Sequence, residues 1–436
     1  MLIISKIAQV DTTNKMTVAF DVSKRKLNYY AQIQGKIVGN SAREEKAAQD
    51  EVPNTTMSLI RTLRELAGFA SQQGFSGLHI TCEPTGSYSD ALMRIAHQKG
   101  HTTAYVSGEN VFKAKVIENN DASKSDIKDP RTISMLSHMG KELTFRILPP
   151  QYKRLRELNR MFDESDKQST EARCKIHSLV TRLFFDFPMS KDFMDTNSGH
   201  ALMRYFGFNP YRISAGAYEK FKKTMRENAP GIREKTLKAL YQNAQYSCLH
   251  LIPEEERSAI QQRLEYTWED FTTSEKRQEV LRKQIEDVYD QLWESGDMVP
   301  QSDGVVFKKF NICRILGETG PIRDFPHWRM LFKYGGVNLR VRESGKYQGQ
   351  LKFSKKGRSN LRNVMGKMAF RLVRKHEIYG PYYHRKKQLN PKMSGTKIMA
   401  NVERKILRLF YALSRHRQAF DMQRFGKCES QYRMAA

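Results

Sequence analysis

Two carboxylates stand three residues apart in Lys124-Ser125-Asp126-Ile127-Lys128-Asp129-Pro130. A helix at that spacing sets both on one face, where hard oxygen donors can grip Mg2+, or Mn2+ in its place. Metal-dependent phosphoryl transfer needs more: several carboxylates converging on one or two ions, ~3.5–4 Å apart when there are two. Two further acids fall at the ends of predicted elements. Asp21 lies in the apolar run Met16–Val22, and Glu83 directly follows the strand Leu78–Cys82. Strand ends and helix starts give such a cage a rigid mount. Each acid alone also has a plainer reading. Asp21 fits a turn or cap residue. Asp126 fits a cap for a helix over Arg131–Met139, and Asp129 before Pro130 fits an N-cap followed by proline at the first helical position. For Asp129 capping and metal binding weigh equally; the order and company of the four acids favours the metal.

The elements that position these acids are legible as an alternation. Runs at 16–22, 26–34 and 36–38, with Gly35 at a turn, predict a three-stranded meander. Leu59, Leu63, Leu66 and Ala70 recur at helical spacing over 55–73, and Gly74 ends that helix. A strand at 78–82, the turn Glu83-Pro84-Thr85-Gly86-Ser87, a helix to about His97 and a strand at 102–106 follow. Strands alternating with helices imply an α/β domain over residues 1–150.

From 151 to 300 the chain reads as a helical, coiled-coil linker. Tyr152–Phe185 is charged and helical, and Ile260, Leu264, Trp268, Phe271, Leu281, Ile285, Val288 and Leu292 follow a heptad-like seam. A hairpin within the chain and a coiled coil between chains fit that seam equally. Residues 188–254, punctuated by Pro188, Gly199, Gly207, Pro210, Gly216, Pro230 and Gly231, read as an inserted helical lobe to which no activity is assigned.

The 436 residues carry 74 Lys and Arg against 47 Asp and Glu, a formal net charge of +27. The usual partner of such an excess is a polyanion, nucleic acid first and an anionic membrane surface second. No apolar run approaches the ~18 residues of a spanning helix, and Met1-Leu2-Ile3-Ile4 is too short for a signal peptide. A soluble, cytoplasmic protein is expected, associated with the nucleoid when bound and not with membrane. The five cysteines, Cys82, Cys174, Cys248, Cys313 and Cys428, show neither CxxC pairs nor zinc spacing.

The basic excess concentrates in residues 301–436. Between Arg340 and Arg408 there are about twenty Lys and Arg against three acids, the density of a phosphate-contact surface. Within it, Ser344-Gly345 stands between Arg340, Arg342 and Lys346. A serine there lies in a positive field that favours an attacking oxyanion and a scissile phosphate. Ser-Gly is also a common turn dipeptide.

Phe20-Asp21-Val22-Ser23-Lys24, Cys82-Glu83-Pro84-Thr85-Gly86-Ser87-Tyr88 and Lys124-Ser125-Asp126-Ile127-Lys128-Asp129 resemble the three acidic motifs of insertion-sequence transposases of the IS one-ten (IS110) family, RNA-guided bridge recombinases related to Piv-type DNA invertases. Tyr334-Gly335-Gly336-Val337 through Glu343-Ser344-Gly345 and on to Arg362 resembles that family's C-terminal transposase domain. The match covers roughly 16–140 and 305–370. It departs at Ser302-Asp303-Gly304-Val305-Val306, which keeps one glycine of a Gly-x-Gly hairpin, and at Pro130.

The resemblance implies a RuvC-like, ribonuclease-H-like N-terminal domain, a coiled-coil linker that pairs protomers, and a mainly helical C-terminal domain. It implies Mg2+ on Asp21, Glu83, Asp126 and Asp129, and Ser344 as the nucleophile, with Ser354 its competitor. It further implies donor and target DNA, an element-encoded bridge RNA, and a homo-oligomer, dimer to tetramer, with composite sites. Lys124, Lys128, Arg340, Arg342, Lys346, Lys355, Lys356, Arg358 and Arg362 are the expected nucleic-acid contacts. Three other readings stay open: a hydrolytic nuclease of the junction-resolvase type using water, a DNA invertase of the same family, and a non-catalytic nucleic-acid binder.

Overall fold

A computed structural model describes residues 3–5, 14–33, 36–38, 52–119, 128–249, 252–340, 343–344, 347–349 and 352–422. The chain forms two compact units, Met1–Lys153 together with Leu292–Ala436, and Arg154–Gln291. The N-terminal and C-terminal portions of the sequence thus share one unit.

In the first unit β2 (Met16–Val22), β6 (Leu78–Cys82) and β7 (Thr102–Val106) lie parallel at the centre of a mixed sheet. Its order is β1 (Ile3–Ser5), β8 (Glu142–Phe145), β7, β6, β2, β3 (Lys26–Ile33) and β4 (Lys36–Val38), with the short β5 (Val52–Pro53) also on β3. Met16, Val18, Phe20 and Val22 of β2 join Ile80 and Cys82 of β6 in one core. That core is closed by α1 (Thr56–Gln72) through Leu59, Leu63, Leu66 and Ala70, and by α2 (Ser87–Gln98) through Leu92, Met93 and Ala96. Thr55 begins α1 by accepting the Ser58 N–H.

Strand side chains alternate between faces, so Ala19 points the other way. There it meets Val111 and Ala114 of α3 (Gly108–Asn119) and Ile133 and Leu136 of α4 (Lys128–His138). The same parity carries Asp21 to the α3/α4 face, and Glu83, one residue past Cys82, with it.

The C-terminal portion is helical. Most of α11 (Lys309–Thr319) is buried, and α12 (Trp328–Gly335), α13 (Ser359–Lys375), α14 (Tyr379–Leu389) and α15 (Gly395–His416) follow it. Polar ties among the described residues link it to the end of β8 and to the start of α5 (Pro150–Leu183). Arg146 pairs with Asp324, donates to the Thr319 carbonyl at 3.1 Å and lies 5.0 Å over the Phe325 ring. Tyr152 donates to Asp297 Oδ2 at 2.9 Å, while Arg323 donates to Oδ1 at 3.0 Å. The Ser302–Val306 stretch is a tight turn: Asp303 Oδ1 accepts from the N–H groups of Val305 and Phe307, and Gly304 takes a positive φ of 70°.

In the second unit α5 (Pro150–Leu183) and α10 (Glu254–Glu294) run beside each other. Ser165 donates to the Ser274 carbonyl at 2.9 Å, and the Arg173 guanidinium sits 5.5 Å over the Phe271 ring. Of the two pairings the seam allowed, the structure shows the one within the chain. Ile260, Leu264, Phe271, Leu281, Ile285 and Val288 are all buried within the chain. The 188–254 stretch forms α6 (Asn197–Phe206), α7 (Pro210–Ser214), α8 (Tyr218–Asn228) and α9 (Glu234–Ser247), packed with α5 and α10 around Leu202, Phe208, Phe221, Leu240 and Phe271. Among the described residues no helix is long and apolar enough to cross a membrane.

Phe271 is fully buried where α5, α10 and the lobe meet. Phe271→Ala should lower the stability of this unit by about 3–5 kcal/mol. Hydrogen exchange should show faster opening of α6–α10 with protection of β2, β6 and β7 unchanged.

Candidate active site

The acidic site starts from register. Phe20 pairs with Cys82 across the parallel β2 and β6, so Asp21 and Glu83 leave adjacent strand ends, where strands lie roughly 4.8 Å apart. Glu83 reaches across to the first residue of α3. A methyl group built on Gly108 would collide with Glu83 Oε1 and sit 3.0 Å from its carboxyl carbon, so the carboxylate in this position rests directly on the bare Cα. The turn between Glu83 and α2 is held by Thr85 N–H donating to Ser89 Oγ at 3.2 Å, and by Gly86 at φ 71°. The buried Cys82 thiol senses the result. Burial pushes its pKa up, and Asp21, Asp90 and Glu83 push it further the same way.

Asp129 is placed differently. In the first turn of α4, it pairs with Lys115, which lies two turns along α3 from Gly108. The helix starts at Lys128, so Asp129 is inside it rather than at its cap. Asp126 and Lys124 lie outside the described residues. Among the described residues no group of three or more His, Cys, Asp or Glu is assembled to hold a metal. Asp21 and Glu83 nonetheless supply what a hard cation requires: oxygen donors on neighbouring strand ends, in a negative field inside a basic protein.

The serine side is a hairpin on a clasp. Ser344 ends β10 (Glu343–Ser344), which pairs with β11 (Tyr347–Gln348), and β9 (Leu339–Arg340) pairs with β12 (Lys352–Phe353) nearer the stem. Below it the chain interlocks with itself. Arg358 N–H donates to the Tyr334 carbonyl at 2.9 Å, and Lys355 N–H to that of Gly336 at 3.0 Å. A side chain on Gly357 would collide with the Tyr334 carbonyl and the Gly336 nitrogen. Arg362 Nη1 spans the two chains, donating to the carbonyls of Gly335 at 2.9 Å and Gly357 at 3.2 Å. Arg358 Nε donates at 2.6 Å to Glu318, whose side chain is 3% exposed, and Tyr334 donates to the Glu318 carbonyl.

The expected contacts therefore divide. Arg358 and Arg362 are turned inward, into the clasp. Ser354 donates to Asn338 Oδ1 at 2.6 Å, so its hydroxyl is engaged with a group that cannot act as a base. Arg340, Lys355 and Lys356 are exposed; Arg342 and Lys346 lie outside the described residues, and Lys128 opens α4. Lys356 reaches Glu109 Oε2 at 2.5 Å. Glu109 is the neighbour of Gly108, and Lys113 with Lys356 holds its carboxyl down at about 2. The clasp beneath the Ser344 hairpin thus touches the helix start on which Glu83 rests.

Sequence reasoning did not single out Gly108, Glu109, Lys115, Asp90 or the role of Glu318. The strand-then-Gly108-Glu109 pattern could have marked a helix start, but the apolar residues of α3 run around it rather than along a stripe, and Phe112 is exposed.

Removing the Arg358 side chain strands a buried carboxylate. Arg358→Ala should therefore cost about 3–5 kcal/mol in denaturant melts without nucleic acid, which a phosphate-contacting residue would not. Glu403 of α15 tests pH dependence. Burial pushes its carboxyl up to about 7, with Arg362 opposing. A carboxyl raised on folding resists ionisation, so its penalty is absent below the ordinary value of 4.5 and complete above about 7. Glu403→Gln should accordingly raise Tm above that pH, by about 1 kcal/mol of stability after solvent screening, and leave it unchanged at pH 4.

The comparisons with known proteins meet this geometry at both sides. A DEDD-type transposase family model of the IS110 group matches residues 18–185, which span β2 to the end of α5 and hold all four acids. The model of the transposase IS116/IS110/IS902 family matches residues 307–384, from the start of α11 through most of α14, with the clasp and hairpin inside. No curated protein matches the chain. The DEDD domain is of the RuvC-like class, consistent with the mixed sheet and its flanking helices, and its members work with divalent metal ions. Family membership makes DNA transposition and recombination the field of its activity. With both matches in sequence order and together covering more than half of its length, the chain belongs to the IS110 transposase family.

Proposed function

We propose that this protein is an RNA-guided DNA recombinase that cuts and rejoins the DNA of a mobile element and its target through a phosphoserine link at Ser344. The observation that carries the reading is the contact between Lys356 and Glu109. It brings the stem of the Ser344 hairpin to the α3 start against which Glu83 rests, which supports a reading in which serine and carboxylates serve one reaction.

In this reading Ser344 Oγ attacks the scissile phosphorus. The Oγ–P bond forms as the bond from phosphorus to the leaving sugar oxygen breaks, and that oxygen takes up a proton. The link keeps the energy of the phosphodiester, and attack by the sugar hydroxyl of the incoming strand reverses the step and frees the serine. Asp21 and Glu83, with Asp126 and Asp129, would hold Mg2+ or Mn2+, which when bound supplies positive charge next to the phosphoryl oxygens. Exposed Arg340, Lys355 and Lys356 hold backbone phosphate, and Arg342, Lys346, Lys124 and Lys128 are assigned the same task. A bridge RNA selects donor and target by base pairing, which suits a protein whose recognition potential is diffuse positive charge rather than a base-reading helix. Exchange between two duplexes requires both to be held at once, the reason to expect a homo-oligomer, dimer to tetramer, with protomers completing one another's sites.

The reading is tested by incubating the protein with a nicked substrate, cognate RNA and Mg2+, then denaturing. Wild type should give a protein–DNA adduct whose modified peptide contains Ser344. Ser344→Ala and Asp21→Asn should each reduce it at least a hundredfold. Cleavage that persists in Ser344→Ala identifies water as the nucleophile and makes the chain a hydrolytic RuvC-like nuclease.

A further inference from the structure

The acidic pair has a second basic neighbour. Three residues past Asp21, roughly 10 Å along an extended chain, β2 turns into β3 through Ser23, Lys24 and Arg25. Both cations are exposed, and among the described residues neither pairs with a carboxylate. The turn is stiff. Ser23 N–H donates to the Lys26 carbonyl at 2.9 Å, Ser23 Oγ donates to the same carbonyl at 2.8 Å, and Lys26 N–H donates back to Ser23 Oγ at 3.2 Å.

Asn54 ties this turn to the other acid's loop. Its backbone N–H donates to the Arg25 carbonyl at 2.9 Å, and its side-chain amide donates to the carbonyls of Ser23 at 2.8 Å and Tyr88 at 3.3 Å. One side chain therefore fixes the Lys24–Arg25 turn against the start of α2, where the loop begun by Glu83 ends in the 42% exposed ring of Tyr88. Between Pro53 and Ser23–Lys26 a groove of about 530 Å³ is left open. Solubility alone would explain two exposed cations on a hairpin tip. It does not explain why the tip is braced to an exposed aromatic ring at the same sheet edge as two carboxylates.

We propose that the β2–β3 tip and the start of α2 form a track for the DNA strand delivered to Asp21 and Glu83, with Lys24 and Arg25 on successive phosphates and Tyr88 against a base or sugar. The assignment rests on the active-site reading above for its destination, but not for its test. Two carboxylates repel a phosphodiester, and a fixed pair of cations within a few phosphates of them offsets that repulsion before any metal is engaged. Asn54 makes the offset directional, because the cations cannot drift from the acids without breaking its bonds to both loops.

The test measures binding without chemistry. Affinity for a fluorescein-labelled DNA duplex of mixed sequence is titrated against salt in EDTA. The double variant Lys24→Ala/Arg25→Ala should flatten the slope of log K on log salt by about 1.8, two contacts at roughly 0.9 each. Lys24→Arg/Arg25→Lys should restore it. Tyr88→Ala should keep the duplex slope and weaken binding of a single-stranded DNA roughly tenfold. A double variant with the wild-type slope overturns the track, as does a slope that changes on RNA but not on DNA. Because EDTA removes cleavage, these results stand whether or not Asp21→Asn abolishes the adduct, so the two readings fail separately.

Discussion

The contact of Glu83 with the bare Cα of Gly108 joins the acidic strand end to α3. Glu83 directly follows β6 and Gly108 begins α3, with β7 between them in sequence. By resting on α3 the carboxylate is held over the face where strand parity also places Asp21. The same docking fixes Glu109 at the rim, where Lys356 of the clasp meets it. A larger residue at 108 would push the Glu83 carboxylate off the helix start. Precision here comes from leaving an atom out, one of the few ways a backbone can approach a charged group this closely.

That docking gathers negative charge in a protein of net charge +27, and the opposition is useful. Acids at neighbouring strand ends resist one another, a cost borne by the sheet that a divalent ion can relieve. Asp129 has its charge balanced by Lys115. The exposed Lys24 and Arg25 of the β2–β3 turn and Lys356 of the clasp set positive charge close to these acids.

Much of the framework was legible because its signals were local. Leu59, Leu63, Leu66 and Ala70 announce α1, and the runs ending at Val22, Cys82 and Val106 announce the parallel core. Asp21 and Glu83 could be placed at strand ends from those runs alone. The heptad-like seam around Phe271 was legible as a seam, but periodicity does not name its partner. The structure fills it with α5 and with a lobe of separate core. The α3 helix was hidden because Val111 and Ala114 face the sheet while Phe112 faces solvent, leaving no stripe to read. The clasp was hidden for another reason: Lys355, Lys356 and Arg358 look alike in sequence, and only the distant Glu318 separates the inward one from the outward two.

That last distinction runs through the whole C-terminal half. Besides Arg358 and Arg362, Arg404 lies 5.3 Å over Phe332, Arg408 lies 4.9 Å over Trp328, and Arg417 lies 4.3 Å over Trp293. These guanidiniums cross-link helices; a density of basic residues in the sequence overstates the density of charge available to a backbone. Arginine suits this work because its planar, weakly hydrated head stacks on rings and donates in several directions at once, whereas an ammonium holds its water. The lysines remain outside, as Lys355 and Lys356 do. The domain thus uses arginine to brace the fold beneath the hairpin, while Lys355 and Lys356 keep their charge at the surface.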